Sequence, residues 1–395
     1  MRICLLTATF FPKVGGHEAV VDQLARQFNR NGNEAVVLAQ HLSIKGTPGK
    51  LDVPYRVVRF RKPFSQNWDL GVLRRALVRL HREWPFDIIH SHSSYPTGYI
   101  AVQAGAILNI PVVVTPHGSD IAETSRFLSR PVVMRRIRET LEKTDALTTI
   151  SQYLKGRALE IAPKCATHLT EISNGIDCAA FAQPAVQPER IKKYFHPDQA
   201  QFLLFLGRFH PRKGVDILIE AFRIAAQNNR NLQLVIGGDG PDREALHQQA
   251  SQSGVADRIH FLGLVHGQEK LWLLQNALAL AVPTKSWEGL PIVVLEGLAS
   301  GQAIIGSRVG GIVDLVKDGD NGLLIEPGNA PSLANAFQII SENPAARRKM
   351  GEASRERAKL FDWPKVTARY LSLFSDLIEL SNHGSRKVIS EGNKR

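Results

Sequence analysis

Short apolar segments rich in β-branched residues alternate with amphipathic helical segments along the chain, and this series begins twice. Apolar strands separated by helices are typical of parallel sheets, which helices cover on both faces. We therefore predict two doubly wound α/β domains. The first domain's strands are expected in RICLLTA, NEAVVLA, YRVVRF, DIIHSHS, VVVTPH and ALTTIS, and the second's in FLLFLGRF, LQLVIGG, IHFLGLV, LALAVPT, AIIGS and GLLIEP.

The junction between the two series is Cys178–Ala200, a proline-containing segment with little periodicity. We place the first domain at residues 1–177 and the second at residues 178–361. A helical segment follows at about 362–382, and the polar residues 383–395 are expected to be disordered. Ligands of open α/β sheets bind outside the carboxyl ends of the strands, so we expect the functional site in the cleft between the two domains.

Composition restricts the partners and the compartment. The 395 residues carry a net charge of +12, of which +8 lies in residues 1–177; such a charge attracts nucleic acid, nucleotides or anionic lipid. Three cysteines without a CxxC spacing indicate a reducing compartment. The N-terminal segment fits a β-strand better than a signal peptide, and no apolar stretch is long enough to span a membrane. We therefore expect a cytoplasmic protein.

Two polar segments follow strands of the first domain. Gly15 and Gly16 precede a helix, where paired glycines let backbone N–H groups approach an anion; a tight turn would explain the same glycines. His117 ends the fifth strand and is followed by Gly118 and Asp120, so it could meet a ligand hydroxyl there. Turn chemistry with a solvated histidine is the alternative interpretation.

Two cations, Arg208 and Lys213, lie in the loop after the first strand of the second domain. Cations that converge on one point suit a diphosphate, which arginine can bind bidentately. The glycine-rich segments Ile236–Pro241 and Val309–Gly311 also follow strands, and we expect them to leave backbone near the ligand. The first of them is no dinucleotide fingerprint, because its spacing is not GxGxxG.

Residues 286–301, SWEGLPIVVLEGLASG, hold two glutamates in an otherwise apolar stretch. Pro291 suits a first helical position and Gly301 a helix end, so we predict a helix over Pro291–Ser300. Glu288 then lies in the loop before the helix and Glu296 within it. Carboxylates accept hydrogen bonds from sugar hydroxyls, and the first N–H groups of a helix bind phosphate. The hypothesis is a nucleotide-sugar site; the alternative is a helix with one capped or snorkelling glutamate.

The ordered set FFPKVGG, PHGSD, SNGID, LGRFHPRKG, GGDGP, the E-x7-E pair and VGGIVDLVKDGDNGLLIEPGN resembles the motifs of retaining glycosyltransferases of family 4. The resemblance spans about residues 1–375. It implies the GT-B fold, which has two facing Rossmann-like domains and a final helix that packs back on the first. It also implies a hexosyltransferase that moves a sugar from a UDP-, GDP- or ADP-sugar to an acceptor hydroxyl, in glycan, glycolipid or polysaccharide biosynthesis.

The resemblance assigns roles to individual residues. Gly15 and Gly16 would contact the donor phosphate or close the acceptor side, and His117 would meet the donor sugar near the reacting carbon. Arg208 and Lys213 would neutralise the leaving diphosphate. Glu288, with the backbone of Gly289 and Leu290, would hold the transferred sugar. Glu296 would hold the ribose. Asp120 and Asn174 would lie on the acceptor side or in the cleft.

No metal or other cofactor is expected, because preorganised cations and a helix N-terminus can stabilise the leaving group. The segment Asp318-Gly319-Asp320 matches a DxD pattern, but it lies among turn residues and we interpret it as a turn. A dinucleotide-dependent enzyme would need a GxGxxG after the first strand. A non-catalytic binding or scaffold protein on the same frame stays open, although it would be expected to lack site residues that this chain has.

Basic residues form two clusters in the first domain. In the first, Leu73, Leu77 and Leu80 occupy one helix face and arginines the other. Such a helix can lie on an anionic membrane, which would suit a lipid-linked or phosphorylated acceptor at the inner membrane face; a solvated helix face is the alternative. A nucleic-acid-binding function would explain the charge but not the site motifs, so nucleic acid is not expected as a partner. The clusters are Arg56, Arg59, Arg61, Lys62, Arg74, Arg75, Arg79 and Arg82, and then Arg126, Arg130, Arg135, Arg136 and Arg138.

Overall fold

The computed structural model describes residues 1–13, 15–41, 52–60, 70–192, 194 and 201–383. The predicted tail at 383–395 lies outside this set except for its first residue, as do Arg61 and Lys62. The chain divides into two compact units, which are taken one at a time below. Unit 1 comprises Met1–Asn174 and the residues from Pro364 on, and unit 2 comprises Gly175–Trp363.

Unit 1 is built on a parallel sheet that helices cover. Its strands are β1 (Arg2–Thr7), β2 (Glu34–Gln40), β3 (Arg56–Phe60), β4 (Ile88–Ser91), β5 (Val112–Val114), β6 (Ala146–Thr149) and β7 (Leu169–Glu171). Their order across the sheet is β3-β2-β1-β4-β5-β6-β7. The accompanying helices are α1 (Gly16–Arg30), α2 (Leu70–Glu83), α3 (Tyr99–Leu108), α4 (Pro131–Lys143) and α5 (Gln152–Ile161).

The burial of β1 explains why its sequence is a continuous apolar run. Ile3, Cys4, Leu5 and Leu6 are each 0% exposed, as expected for a central strand with helices on both faces. All six strands predicted for this domain are present. The prediction missed β7, whose three half-buried residues, Leu-Thr-Glu, form no apolar run.

Unit 2 is a second parallel α/β unit. Its strands are β8 (Gln201–Leu206), β9 (Leu232–Gly237), β10 (Ile259–Gly263), β11 (Ala279–Val282), β12 (Ile304–Ser307) and β13 (Gly322–Ile325), in the order β10-β9-β8-β11-β12-β13. All six predicted strands are confirmed. The helices are α6 (Cys178–Ala182), α7 (Glu189–Lys192), α8 (Val215–Ala225), α9 (Arg243–Ser251), α10 (Gly267–Asn276), α11 (Ile292–Ala299), α12 (Ile312–Leu315), α13 (Ala330–Glu342) and α14 (Pro344–Ala358).

The C-terminal helix α15 (Trp363–Asn382) packs on unit 1. Its Phe374 ring lies 5.5 Å from the ring of Phe28 on α1 and 5.5 Å from that of His90 on β4. Tyr370 lies 5.0 Å from the same histidine ring. Among the helices of the described residues, none has the length and apolar character needed to cross a membrane.

Both sheets reverse their strand order at one point, where two neighbouring strands are followed by connections that run in opposite directions. This switch lies between β1 and β4 in unit 1, and between β8 and β11 in unit 2. The loops that follow such strands part at the carboxyl edge of the sheet and leave a crevice, which is where open α/β sheets bind ligands. The fold therefore singles out four loops for closer description.

Candidate functional site

The loops after β8 and β11 meet at the switch point of unit 2. The ammonium Nζ of Lys213 lies 2.5 Å from Oε1 of Glu288, whose side chain is only 9% exposed. The Thr284 hydroxyl donates to the same oxygen at 3.2 Å. The two loops thus bring together the predicted phosphate-binding lysine and the predicted sugar-binding glutamate as an ion pair. The prediction did not include this pairing.

Arg212 fastens the same two loops together. Its guanidinium lies over the indole of Trp287, 3.9 Å from the ring centroid, and Nη1 donates to the Trp287 carbonyl at 2.9 Å. A stacked cation that also donates a hydrogen bond holds the loop more firmly than either contact alone. Arg212 therefore positions the segment that carries Glu288, a role that its surface-like sequence setting did not indicate.

The glycine-rich loops pack against neighbouring loops. The expectation that they leave backbone near the ligand stays a prediction. A Cβ on Gly311 would lie 2.0 Å from the Gly289 carbonyl, and one on Gly238 would lie 1.8 Å from the Gly207 carbonyl. Gly311 N–H also donates to the Glu288 carbonyl at 2.8 Å. These glycines are needed because the loops around the site approach each other at backbone distance.

The predicted helix after the first glutamate is present as α11, Ile292–Ala299. Pro291 stands just before its first helical residue, and Gly301 follows its end with φ +76°. Glu296 lies within the helix and is half-buried. Its Oε1 lies 2.5 Å from Nζ of Lys270 on α10, so the second glutamate is also paired with a lysine. Sequence reasoning missed Lys270, because nothing local marks it off from other surface lysines.

Three further groups at this edge have no protein partner within the described residues. Arg208, directly after β8, is exposed and forms no ion pair there. The backbone N–H groups of Gly289 and Leu290, two buried residues, donate no hydrogen bond to that part of the chain. The second oxygens, Oε2, of Glu288 and Glu296 likewise accept none from it. The edge thus offers one free cation, two amide donors and two carboxylate acceptors.

The charges of this edge favour an anion with hydroxyl groups. The two lysine–glutamate pairs are each neutral as a whole, so Arg208 and the N-terminal end of α11 leave a positive balance. An ionised diphosphate can contact these groups, while sugar hydroxyls donate to the free carboxylate oxygens. Ion pairing does not prevent this, because each carboxylate uses only one oxygen for its lysine.

In unit 1, the loop after β1 carries Gly15 and Gly16 to the start of α1. The helix begins at Gly16, which is exposed, with Gly15 as its N-cap. Glu18 in the first turn is buried, and its Oε1 lies 3.6 Å from Nζ of Lys13. His17 beside it bonds Thr7 Oγ1 through Nε2 at 2.7 Å. Neither His17 nor Glu18 was predicted as a site residue.

His117 lies at the same sheet edge and belongs to a row of histidines. Its Nε2 lies 3.1 Å from Nδ1 of His92, and its ring centroid lies 4.7 Å from that of His17. Burial lowers the pKa of His117 well below its usual value, and a charge on His17 or His90 would lower it further. The imidazole is therefore neutral at pH 7, a state suited to hydrogen bonding with hydroxyls.

Asp120 and Asn174 are both buried, and the structure gives Asp120 a partner inside the protein. Its Oδ2 accepts hydrogen bonds from the backbone N–H of Ser94 at 2.5 Å and from the Ser94 hydroxyl at 2.7 Å. Burial raises the pKa of Asp120, and the bonds from Ser94 act in the opposite direction. Asp120 thus anchors the loop after β4 to the loop after β5, and its predicted contact with acceptor or cleft stays a prediction.

The Asp318-Gly319-Asp320 segment forms a turn. Gly319 has φ +77°, and Asp318 Oδ1 accepts from the Leu324 N–H at 2.9 Å. The other oxygen of Asp318 pairs with Arg308 at 3.0 Å. Within the described ranges, no cluster of histidine, cysteine, aspartate and glutamate has the arrangement of a metal site.

The basic clusters of unit 1 lie partly on its surface. On α2, Leu73, Leu77 and Leu80 are buried in the unit, so the apolar face of this helix is already used. The arginines left exposed by these two clusters are Arg56, Arg74, Arg75, Arg79, Arg82, Arg126, Arg130, Arg135 and Arg138. Arg136 instead lies over the Tyr99 ring, 5.3 Å from its centroid.

Comparison with known proteins identifies the class of protein as a glycosyltransferase. Two family models match successive parts of the chain: "Glycosyltransferase Family 4" over residues 14–180 and "Glycosyl transferases group 1" over residues 186–357. The chain belongs to glycosyltransferase family 4 and has the GT-B fold.

Curated relatives align over almost the whole chain. N-acetyl-alpha-D-glucosaminyl L-malate synthase of Bacillus anthracis is 27% identical, covering 95% of this chain and 98% of the relative. Phosphatidyl-myo-inositol mannosyltransferase of Mycobacterium tuberculosis is 28% identical, covering 95% and 96%.

Solved structures share the fold. Anabaena HepE in complex with UDP has a TM-score of 0.79 at 20% identity, covering 95% of this chain and 100% of the other. Sucrose-phosphate synthase of Thermosynechococcus elongatus has a TM-score of 0.80 at 22% identity, covering 96% and 99%. At these identities the likeness concerns the fold alone.

Proposed function

We propose that this glycosyltransferase transfers a sugar from a nucleotide-diphosphate sugar to an acceptor hydroxyl, with retention of configuration and without a metal ion. The observation that carries the proposal is the edge of unit 2 where Lys213, Glu288 and the start of α11 come together. It combines cationic and amide groups for a diphosphate with carboxylate oxygens for sugar hydroxyls. Glu288 serves the transferred sugar, and Glu296 serves the ribose.

The chemistry follows from the charges. The bond between sugar C1 and the diphosphate oxygen breaks, negative charge grows on the leaving oxygens, and the acceptor oxygen bonds to C1. The acceptor proton passes to a phosphate oxygen of the leaving group. Arg208, Lys213 and the amides of Gly289 and Leu290 stabilise the growing charge, because fixed donors aimed at developing charge lower the barrier. In unit 1, His117 serves the donor sugar, and Gly15 and Gly16 the donor phosphate or acceptor side.

The nucleotide is tested by thermal unfolding with UDP, GDP or ADP, each with and without magnesium. A ligand that binds only the folded protein stabilises it by about 2.7 kcal/mol at 100 times its Kd. We expect one diphosphate to raise Tm to the same extent with and without magnesium. A Tm shift that requires magnesium would contradict the metal-free site. No shift with any of the three would favour a non-catalytic scaffold on the GT-B frame.

Two substitutions test the proposed donor site. We expect Lys213→Met and Glu288→Gln each to lower transfer about 100-fold or more, the usual cost of losing one preorganised group. Lys359→Met is the matched control, because Lys359 also forms a lysine–glutamate pair, with Glu356 at 2.7 Å, on an exposed surface. Wild-type turnover in the Lys213 and Glu288 variants, at unchanged Tm, would refute the assignment.

The acceptor is proposed to be lipid-linked, phosphorylated or glycan, handled by a cytoplasmic enzyme at the inner membrane face. The supporting surface is the exposed arginines of α2, of the loop into α4 and of the start of α4, where Val132 is 53% exposed. Since the leucines of α2 are buried, its contribution is electrostatic. We expect binding to vesicles with anionic lipid that weakens with salt and is lost on replacing Arg74, Arg75 and Arg82 with Gln. Equal binding to neutral vesicles would contradict this.

A further inference from the structure

Four histidines of unit 1 lie ring to ring at the switch point of its sheet. The ring centroid of His92 lies 4.2 Å from that of His90 and 5.4 Å from that of His117, which in turn lies 4.7 Å from that of His17. His90 and His92 are buried, at 0% and 1% exposure, whereas His17 and His117 are half-buried and reach the surface. The outer two rings, those of His17 and His117, are thus accessible to a ligand.

The hydrogen bonds of Thr7 fix the tautomer of His17. The Thr7 hydroxyl donates its only hydrogen to the Thr9 carbonyl at 2.9 Å, since a carbonyl can only accept. The same hydroxyl oxygen therefore accepts from Nε2–H of His17 at 2.7 Å. Burial lowers the pKa of His17 to about 4, with Glu18 acting in the opposite direction, so the ring is neutral at pH 7. Its Nδ1 then carries a lone pair and no proton.

The pairing with His92 fixes the tautomer of His117. His92 Nε2 is buried without a hydrogen-bond partner in the described part of the chain. A buried N–H without a partner is rarer and costlier than a bare acceptor, so the His92 proton lies on Nδ1. It is donated to Nε2 of His117 across 3.1 Å, and the neutral His117 ring keeps its proton on Nδ1. His117 therefore presents an N–H donor, and His17 presents an acceptor.

Neither outer Nδ1 is engaged by the described residues, and neither is among the buried atoms without a partner. One donor and one acceptor on adjacent neutral rings match a hydroxyl group, which accepts one hydrogen bond and donates another. A fully ionised oxyanion such as sulfate has no proton to donate to His17. A metal ion held between the two rings would need a free ring-nitrogen lone pair from each of them. His117 has none to offer, because its Nδ1 carries a proton and its Nε2 accepts a hydrogen bond from His92.

We propose that His17 is a substrate-binding residue, and that His17 and His117 together hold one hydroxyl group of a sugar or polyol substrate. This rests on the proposed function, in which unit 1 takes part in sugar transfer to a hydroxyl. It extends that proposal to a residue outside the sequence-predicted site and to a defined pair of tautomers. Thr7 and His92 act as positioning residues, because each sets the protonated nitrogen of its partner.

The test is nuclear magnetic resonance of the full-length protein with 15N-labelled histidine, titrated with glycerol, myo-inositol, D-glucose and inorganic sulfate. We expect the Nε2–H tautomer for His17 and the Nδ1–H tautomer for His117. At least one of the three hydroxyl compounds should shift both rings, and sulfate should shift neither. His17→Phe, which keeps the ring, should weaken that binding about 10-fold, the equivalent of one hydrogen bond. Thr7→Val should give His17 a mixture of tautomers.

Several results would overturn the proposal. They are an Nδ1–H tautomer for His17, shifts caused by sulfate alone, the absence of shifts with all three hydroxyl compounds, or unchanged binding in His17→Phe. UDP, GDP and ADP are titrated separately. If none of them binds while a hydroxyl compound still does, the proposed donor site fails and the histidine pair stands. If a nucleotide binds while the tautomers differ from those expected, only the histidine proposal fails.

Discussion

Replacing His90 with Phe should change how the stability of this protein depends on pH. His90 is 0% exposed, and its Nε2 lies 2.7 Å from Thr115 Oγ1. Burial lowers its pKa from 6.5 to about 3. Between these values the unfolded chain binds a proton and the folded chain does not. The contribution of His90 to stability is therefore complete above pH 6.5 and is lost progressively as the pH falls toward 3.

The magnitude follows from the difference in pKa. A pH of 4.5 lies two pH units below the pKa of 6.5 of the histidine in the unfolded chain. Each of these units corresponds to about 1.36 kcal/mol in favour of the unfolded, protonated state. The free energy of unfolding should thus drop by about 3 kcal/mol between pH 7.5 and 4.5 on account of His90 alone. His90→Phe removes this proton and keeps a ring beside Tyr370 and Phe374, so its stability should fall less steeply with pH.

Urea unfolding followed by circular dichroism at several pH values measures the difference. Wild type and His90→Phe can differ in stability at pH 7.5, because Thr115 loses a partner, but the test lies in the change from pH 7.5 to 4.5. His383→Phe is the control, since it removes an exposed histidine and should leave the dependence unchanged. Equal pH dependence in wild type and His90→Phe would refute the conclusion that His90 stays neutral in the folded protein.

Three further substitutions probe the fold. Gly156→Ala in α5 should stabilise unit 1 by about 0.5–1 kcal/mol, because a Cβ there meets nothing within 4 Å; a lower Tm would contradict this. Gly311→Ala should destabilise unit 2 by about 1–3 kcal/mol in urea unfolding, because its Cβ would press on the Gly289 carbonyl; an unchanged midpoint would count against the close loop packing. Asp120→Ala should cost about 1–3 kcal/mol by leaving the Ser94 donors unpaired, and neutral stability would mean that water replaces the carboxylate.

The sequence was sufficient for the fold because the core strands are continuous apolar runs. Twelve predicted strands are present, and the exception, β7, is a three-residue strand whose composition differs little from that of a loop. Helix ends were also predictable where a glycine sets them, as at Gly301. Elements that are set by residues close together in the sequence can thus be predicted from it. A short, half-buried strand such as β7 forms because of its pairing with the neighbouring strand, which the local sequence does not show.

The sequence was less informative about the site, because partners there are distant in the chain. Lys213 and Glu288 were each predicted, but their pairing joins residues 75 positions apart. Lys270 was missed for the same reason. A usable signal did exist in unit 1, since His17, His92 and His117 follow three strands, β1, β4 and β5, whose carboxyl ends share one sheet edge. The close packing of Gly311 against the Gly289 backbone was not predictable either, because it joins two loops that are distant in the chain.

The two units differ in the charge of the groups that they would offer to the substrates of the proposed reaction. At the switch point of unit 2, each carboxylate is paired with a lysine, so in the proposed reaction a diphosphate would meet Arg208, Lys213 and amide donors without facing an unpaired negative charge. At the switch point of unit 1, burial keeps a row of imidazoles neutral. A charged cluster there would bind anions indiscriminately, whereas neutral rings with fixed tautomers distinguish a hydroxyl by its ability both to donate and to accept. The same fold can therefore recognise a leaving anion with one sheet and an uncharged substrate group with the other.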